Sequence, residues 1–169
     1  MVAWRQGSRS REIGGAGCGR RTARGFTLLE LTMAIIVAGV VGTLATSSYG
    51  AYVKRARISA AIADIGKIQI TVDRYALNHD GEPPPDLATV GMSGLLDPWG
   101  RPYVYLSFAG LKGKGAMRKD KNLVPINTEY DLYSMGPDGQ SSAPLTAKAS
   151  RDDIVRANDG GYIGVAADY

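Results

Sequence analysis

Near its N-terminus the chain carries an apolar run, FTLLELTMAIIVAGVVGTLAT, which a single carboxylate, Glu30, interrupts. At about twenty residues the run is long enough for a helix to cross the hydrocarbon core of a bilayer. An ionised carboxylate at that depth costs roughly 2.5–3.5 kcal/mol on insertion scales, so such a residue is rarely without a function. The run predicts a transmembrane helix over residues 26–47 and a partner for Glu30 in the working state.

A basic leader precedes this run. Residues 1–25 contain six arginines, one acidic residue and no apolar core, whereas a secretory signal has an apolar region before its cleavage site. The arginines keep the leader on the cytoplasmic side of the membrane. A cut between Gly25 and Phe26 on that side would leave the apolar run on the mature chain. The alternative is an uncleaved signal anchor with a disordered basic tail.

Charge and cysteine content both change once the leader is set aside. The full chain holds 20 Lys and Arg against 16 Asp and Glu, but residues 26–169 hold 14 against 15. The mature chain therefore gives no bulk argument for binding nucleic acid. The one cysteine, Cys18, lies in the leader, and the one histidine, His79, lies in a turn sequence. No disulfide, thiol nucleophile, histidine-based zinc site or catalytic residue is expected.

The helix is expected to continue beyond the apolar run. No proline occurs between Phe26 and Glu82, and apolar residues keep helical spacing over residues 49–75. One helix from Phe26 to about Leu77 would be roughly 78 Å long at about 1.5 Å per residue. Its amphipathic part, residues 48–77, would carry a globular head formed by residues 78–169.

Two glycines in the apolar part, Gly39 and Gly42, allow two interpretations. Small residues permit close packing of helices. Glycine also weakens a helix, which suits a segment that unwinds or stretches in a filament. The sequence does not decide between these alternatives.

The head sequence predicts a small antiparallel sheet. Strand patterns occur at residues 103–108, 129–135 and 162–165, with a fourth candidate at Leu123–Ile126. A sheet this small needs a surface to pack on, and the amphipathic half of the helix supplies one. The expected class is α+β, a long N-terminal helix with a small antiparallel sheet packed on its second half. The basic loop at residues 110–122 is expected to be solvated, or alternatively to contact an anionic partner.

The motif Gly25-Phe26-Thr27-Leu28-Leu29-Glu30 resembles the cleavage and methylation motif of type IV prepilins and pseudopilins. The resemblance implies that a prepilin peptidase cuts after Gly25 and that the new N-terminal Phe26 is N-methylated. It also implies that Glu30 supports subunit assembly.

A second resemblance covers most of the mature chain. The segments LDPWGRPYVY (96–105), YDLYSMGPDG (130–139) and Asp152-Asp153-Ile154 are similar to the major pseudopilins of type II secretion systems. The resemblance implies a structural calcium ion in the C-terminal loop, Ser134–Asp153, held by the side chains of Asp138 and of one or both of Asp152 and Asp153, with the Met135 carbonyl as a further ligand. The alternative is that Asp138-Gly139 is only a turn and Asp152-Asp153 only a helix or turn cap. The segment at 139–151 is longer than is usual in that family.

Together these features predict a non-enzymatic subunit of a periplasmic pseudopilus that drives type II protein secretion. The subunit would be a single-pass inner-membrane protein with a cytoplasmic N-terminus and a periplasmic head before assembly. Its partners would be copies of itself in a helical filament, the prepilin peptidase, minor pseudopilins, the inner-membrane secretion platform and membrane lipid. The alternative is a surface type IV pilin for adhesion, motility or DNA uptake. A membrane-anchored enzyme lacks any catalytic constellation.

Overall fold

The computed structural model describes residues 25–169, apart from the side chains of residues 44–48. The predicted leader, with Cys18 in it, lies outside the described residues except for Gly25. The chain divides into two compact units, with the boundary between Thr43 and Leu44.

Helix α1 spans Leu28–Leu77 and confirms the predicted long helix. Thr27 caps its start, because the Thr27 hydroxyl oxygen accepts a hydrogen bond from the Glu30 amide at 3.2 Å. At its end the chain turns at Gly81, whose φ is +87° and whose amide donates to the Ala76 carbonyl at 2.9 Å. A glycine suits this left-handed position, where a Cβ would be strained.

The part of α1 in the first unit presents apolar side chains to solvent around its whole circumference. The exposed large residues there are Leu28, Leu29, Leu31, Met33, Ile35, Ile36, Val37, Val40 and Val41, and Phe26 just before the helix is exposed too. Among the residues that the structure describes, no helix meets both the length and the apolar character needed to cross a membrane. The membrane crossing of residues 26–47 stays a prediction.

The second unit contains a four-stranded antiparallel sheet in the order β1-β2-β3-β4. The strands are β1 Val104–Ser107, β2 Tyr130–Ser134, β3 Ile154–Ala157 and β4 Tyr162–Val165. Three of them, β1, β2 and β4, match the predicted strand patterns. Each strand pairs with the next one along the chain, so the sheet is a simple meander.

The fourth predicted strand, at Leu123–Ile126, is wrong. Asp120 and Leu123 exchange backbone hydrogen bonds of 2.7 and 3.0 Å, which folds this segment into a tight turn. Pro125 also lacks the amide that a ladder would need. The actual fourth strand is β3, which follows Asp153 directly and contains a buried arginine, Arg156.

Both faces of the sheet are covered. On one face Tyr130, Leu132 and Ile154 pack with Ile65 and Ile68 of α1, all fully or almost fully buried. This contact confirms that the sheet packs on the second half of the helix. On the other face a second cluster contains Ile126, Leu145, Val155, Ala157 and Ala166. Because strand side chains alternate between the two faces, Val155 and Ala157 lie on the face opposite Ile154. There they pack with Ile126 and Leu145, which belong to the connections before β2 and β3.

Candidate functional site

The predicted processing segment lies at the start of α1. Gly25 and Phe26 precede the first helical residue, and the Phe26 side chain is 83 % exposed. The bond between them is therefore in accessible, non-helical backbone, as a protease requires. The Glu30 side chain is also exposed, in the first helical turn. Its carboxylate has no hydrogen-bond or ion-pair partner among the described residues, and its position favours negative charge because of the helix dipole.

The two head motifs of the sequence meet in space. The turn at 97–101 is held by Asp97, whose Oδ1 accepts hydrogen bonds from the amides of Trp99 at 3.0 Å and Arg101 at 2.9 Å. The other oxygen, Oδ2, accepts a bond from the Ser134 hydroxyl at 2.6 Å. Asp97 is buried, so its two oxygens tie the turn to the end of β2 away from solvent.

Arg101 binds the turn that follows β2. Its guanidinium donates to the Gly136 carbonyl at 2.6 Å and to the Pro137 carbonyl at 3.3 Å. A Cβ on Gly136 would lie 2.2 Å from the Asp152 carbonyl oxygen, and one on Gly139 would lie 2.5 Å from the Arg101 guanidinium carbon. Both glycines also have positive φ, +61° and +70°. Gly136 therefore lets the turn approach the segment before β3, and Gly139 lets it approach Arg101.

Two of the predicted calcium ligands, Asp138 and Asp152, are neighbours here. The Asp138 amide donates to Asp152 Oδ2 at 3.2 Å, and Asp138 Oδ1 accepts from the Gln140 amide at 2.7 Å. The Met135 carbonyl accepts from the Gly139 amide at 3.2 Å. These groups satisfy one another as a turn.

Asp153 makes a different contact. It is fully buried, and its Oδ2 lies 2.6 Å from a guanidinium nitrogen of Arg118, which is itself only 3 % exposed. The Ser141 hydroxyl donates to the same oxygen at 2.6 Å. Burial raises the pKa of the Asp153 carboxyl, while the Ser141 hydroxyl and the Arg118 guanidinium oppose that shift. An arginine therefore already balances the charge of this carboxylate.

The contacts of the predicted ligands bear on the calcium ion that the resemblance implies, but they do not test whether it binds. Calcium takes 6–8 oxygen ligands, usually including several carboxylates. Within residues 25–169, no cluster of three or more His, Cys, Asp or Glu side chains is placed to hold a metal ion. Asp153 faces a cation that belongs to the protein. Calcium binding stays a prediction that needs a direct experiment.

Arg118 is the functional residue that sequence reasoning missed. The loop at 110–122 was expected to be solvated, and its residues Lys112 and Lys114 are indeed exposed. For Arg118 the expectation is wrong, because the side chain is buried under the C-terminal loop. One weak signal existed. Arg118 is the single arginine among four lysines in that loop, and arginine suits buried ion pairs better than lysine does.

Comparison with known proteins identifies relatives of two kinds. The type II secretion system core protein G of Pseudomonas aeruginosa is 28% identical over 141 residues, which is 72% of this chain and 88% of that protein. A fimbrial protein of Neisseria meningitidis serogroup B is 36% identical over 79% of this chain and 83% of its own length. The type IV major pilin protein PilE of Neisseria gonorrhoeae is 29% identical over 83% of this chain and 86% of its own length. No family model and no solved structure matches the chain.

Proposed function

The chain belongs to the type IV pilin and pseudopilin family, and on that premise we propose that it is a structural subunit of a periplasmic pseudopilus. The pseudopilus would drive type II protein secretion, the process named in the core protein G relatives. The subunit would have no enzymatic role.

The observation that carries this proposal is the exposed apolar surface of the first unit. Leu28, Ile35 and Val41 are 59–80 % exposed, and exposed apolar residues surround the helix there. A helix that is apolar all round needs lipid, or other helices of the same kind, around it. Copies of this chain offer such helices, so a helical filament satisfies this surface.

Processing would precede assembly. We propose that a prepilin peptidase cuts after Gly25 and that Phe26 is then N-methylated, as the motif at 25–30 implies. The new amine at the start of the helix would be a positive charge close to the Glu30 carboxylate of a neighbouring subunit. Pairing these charges would relieve the desolvation cost of both. The alternative is that Glu30 reaches the amine of its own chain.

Before assembly the subunit would be held in the inner membrane by residues 26–47, with its head in the periplasm. The apolar sequence of that segment supports this proposal, as does the exposure of its described side chains. Assembly would then transfer the segment from lipid to the filament core, with the secretion platform and minor pseudopilins as further partners.

A surface type IV pilin is the second candidate, because the fimbrial relatives share more identical residues with the chain than the core protein G relatives do. Several relatives are core proteins G, however, and the head carries the two motifs that resemble pseudopilins. The head also has no cysteine. Its C-terminal loop is held by Arg101, Arg118 and Asp97 through polar contacts.

Deletion of the gene in its host separates the two candidates. We expect proteins destined for export to accumulate in the periplasm, while surface pili and surface motility remain. The wild-type chain supplied in trans should restore export, and the Glu30→Ala variant should not. Loss of surface pili with normal export would show a type IV pilin instead.

A further inference from the structure

We propose that the buried guanidinium of Arg118 is the structural cation of the C-terminal loop, so that the head keeps this loop closed without a metal ion. The inference concerns the head alone and holds for a pseudopilus or a pilus subunit. It follows from the mismatch between the calcium ion implied by the resemblance and the contacts that Asp153 makes.

The Arg118 guanidinium joins two parts of the C-terminal loop. One terminal nitrogen contacts Asp153 Oδ2 at 2.6 Å. The other donates to the Ser141 hydroxyl oxygen at 2.5 Å and to the Ser142 carbonyl at 2.8 Å. The planar group also lies over the ring of Tyr133 in β2, 4.2 Å from its centre. A bound metal would make the same kind of connection, bringing a carboxylate and a backbone carbonyl to one positive charge.

The backbone around Arg118 is fixed as firmly as its side chain. Its amide donates to the buried Asp131 carboxylate at 2.6 Å, and its carbonyl accepts from the Ile126 amide at 3.0 Å. The next residue, Lys119, forms two backbone hydrogen bonds with the 143–145 segment, at 2.8 and 3.0 Å. This strand-like contact between the basic loop and the C-terminal loop therefore places Arg118 beside Asp153.

The 139–151 segment, which the resemblance marks as long, contributes to this arrangement. Its residues cover the guanidinium and bury Leu145 and Ser150 beneath the sheet. Ser150 Oγ accepts from the Ser142 amide and donates to the Ser142 carbonyl, both at 2.8 Å. The backbone contacts of this segment with Lys119 and its side-chain contacts with Arg118 therefore hold the two loops together.

A calcium ion and this guanidinium cannot both serve Asp153. Calcium would approach the carboxylate to about 2.3–2.6 Å. Two cations at such separations repel strongly in a buried site. The buried Asp153 Oδ1 and Arg118 Nε have no hydrogen-bond partner among the described residues. Each partner of this ion pair therefore has one polar atom left to bind, and a water molecule suits that atom better than a second cation does.

The test is thermal unfolding of the full chain in detergent, followed by near-UV circular dichroism, in millimolar calcium and in chelator. For the wild-type chain we expect the same melting temperature in both conditions. Arg118→Asn should lower the melting temperature in chelator by roughly 10–20 °C, because it leaves Asp153 buried without a counter-charge. Calcium should then restore part of that loss, since the variant exposes Asp153 to an external cation.

Lys112→Asn is the matched control, because it removes the same charge from an exposed position of the same loop. We expect it to change the melting temperature by less than about 2 °C in either condition. A calcium-dependent rise in the wild-type melting temperature would overturn the proposal. An Arg118→Asn variant as stable as Lys112→Asn would overturn it too, whether or not calcium binds elsewhere.

Discussion

The two units of this chain depart from the usual distribution of side chains in different ways. In residues 25–43 large apolar groups such as Ile36 and Val40 face solvent. In Leu44–Tyr169 charged groups such as Arg118, Arg156 and Asp153 are buried. Each arrangement is costly without partners. The difference lies in where those partners are found.

The second unit supplies its own partners. Arg156 lies 4.0 Å above the Tyr130 ring and donates to the Asn127 side-chain oxygen at 3.3 Å, while Arg118 meets Asp153. Among the described residues of the first unit, 25–43, Glu30 is the only charged one, and in the proposed function lipid or other copies of the chain would cover the apolar surface. The second unit is therefore complete in itself, whereas the first would need assembly or lipid under the proposed function. Substitutions in each should fail in different ways.

The largest expected effect is on processing. Gly25→Val places a branched side chain beside the bond that the peptidase would cut. We expect nearly all of the protein to keep its leader, because the bulk obstructs the scissile peptide. Intact-mass measurement of membrane-extracted protein reads this directly. Gly39→Val, in the same apolar unit, is the control and should be processed as the wild type is. A variant at Gly25 that yields a methylated Phe26 terminus at normal levels would contradict the assignment.

Assembly should depend on Glu30 more than on any comparable carboxylate. Glu30→Gln removes the charge and keeps the size, so leader removal and membrane retention should be unchanged. Filament yield should fall by about tenfold or more, equivalent to about 1.4 kcal/mol or more for the lost pairing with a neighbouring amine. Glu82→Gln, an exposed carboxylate of the second unit, should assemble normally. Quantifying sheared filaments by immunoblot distinguishes the outcomes, and equal yields from the two variants would refute the assembly role.

Helix and sheet differ in how far the sequence predicts them. Helix α1 follows from the absence of proline and from a periodicity read within one segment. Strands β1 and β4 follow from local patterns in the same way. Strand β3 was missed because its buried Arg156 contacts Tyr130 and Asn127, which lie 26 and 29 positions earlier in the chain. Local patterns carry no record of such distant partners.

The processing segment and the C-terminal loop also differ in how far the sequence predicts them. The processing segment is contiguous, so Gly25, Phe26 and Glu30 could be named from the sequence. The C-terminal loop depends on Arg118 and Asp153, which are 35 positions apart. The family resemblance pointed to the carboxylates of this loop, but it did not point to the arginine that pairs with one of them. A buried ion pair whose partners come from two loops leaves no spacing for sequence reasoning to find.

Packing between helix α1 and the sheet should account for much of the stability of the second unit. Ile68 is fully buried against the sheet, so Ile68→Ala should lower the free energy of unfolding by about 2–5 kcal/mol through the cavity it leaves. Ile70, two positions away on the same helix, is 70 % exposed, and Ile70→Ala should cost under about 0.5 kcal/mol. Guanidinium unfolding of the detergent-extracted chain measures both. Similar losses would mean that Ile68 does not pack as described.

The smallest expected effect is an alkaline weakening of the second unit. Burial, and secondarily the hydrogen bond to Asp64, raises the pKa of Tyr103 above its ordinary value of 10. The folded state therefore keeps this tyrosine neutral at a pH where the unfolded chain ionises it. The stability it contributes is complete below pH 10 and is lost as the pH rises toward the folded pKa. Because the hydrogen bond of the hydroxyl is only partly buried, the loss between pH 10 and 11 should be roughly 0.5–1 kcal/mol.

Removing the Tyr103 hydroxyl separates its effect on stability from the effects of Tyr105 and Tyr130, whose pKa values burial also raises. Tyr103→Phe loses the 2.9 Å hydrogen bond to Asp64, so at pH 9 it should be about 1 kcal/mol less stable than the wild type. Between pH 10 and 11 the gap should narrow, because phenylalanine cannot ionise in either state. Tyr52→Phe, at an exposed position of α1, should follow the wild-type curve throughout. A constant gap from pH 9 to 11 would show that Tyr103 titrates equally in both states, and the buried polar contacts of the second unit would then be open to solvent.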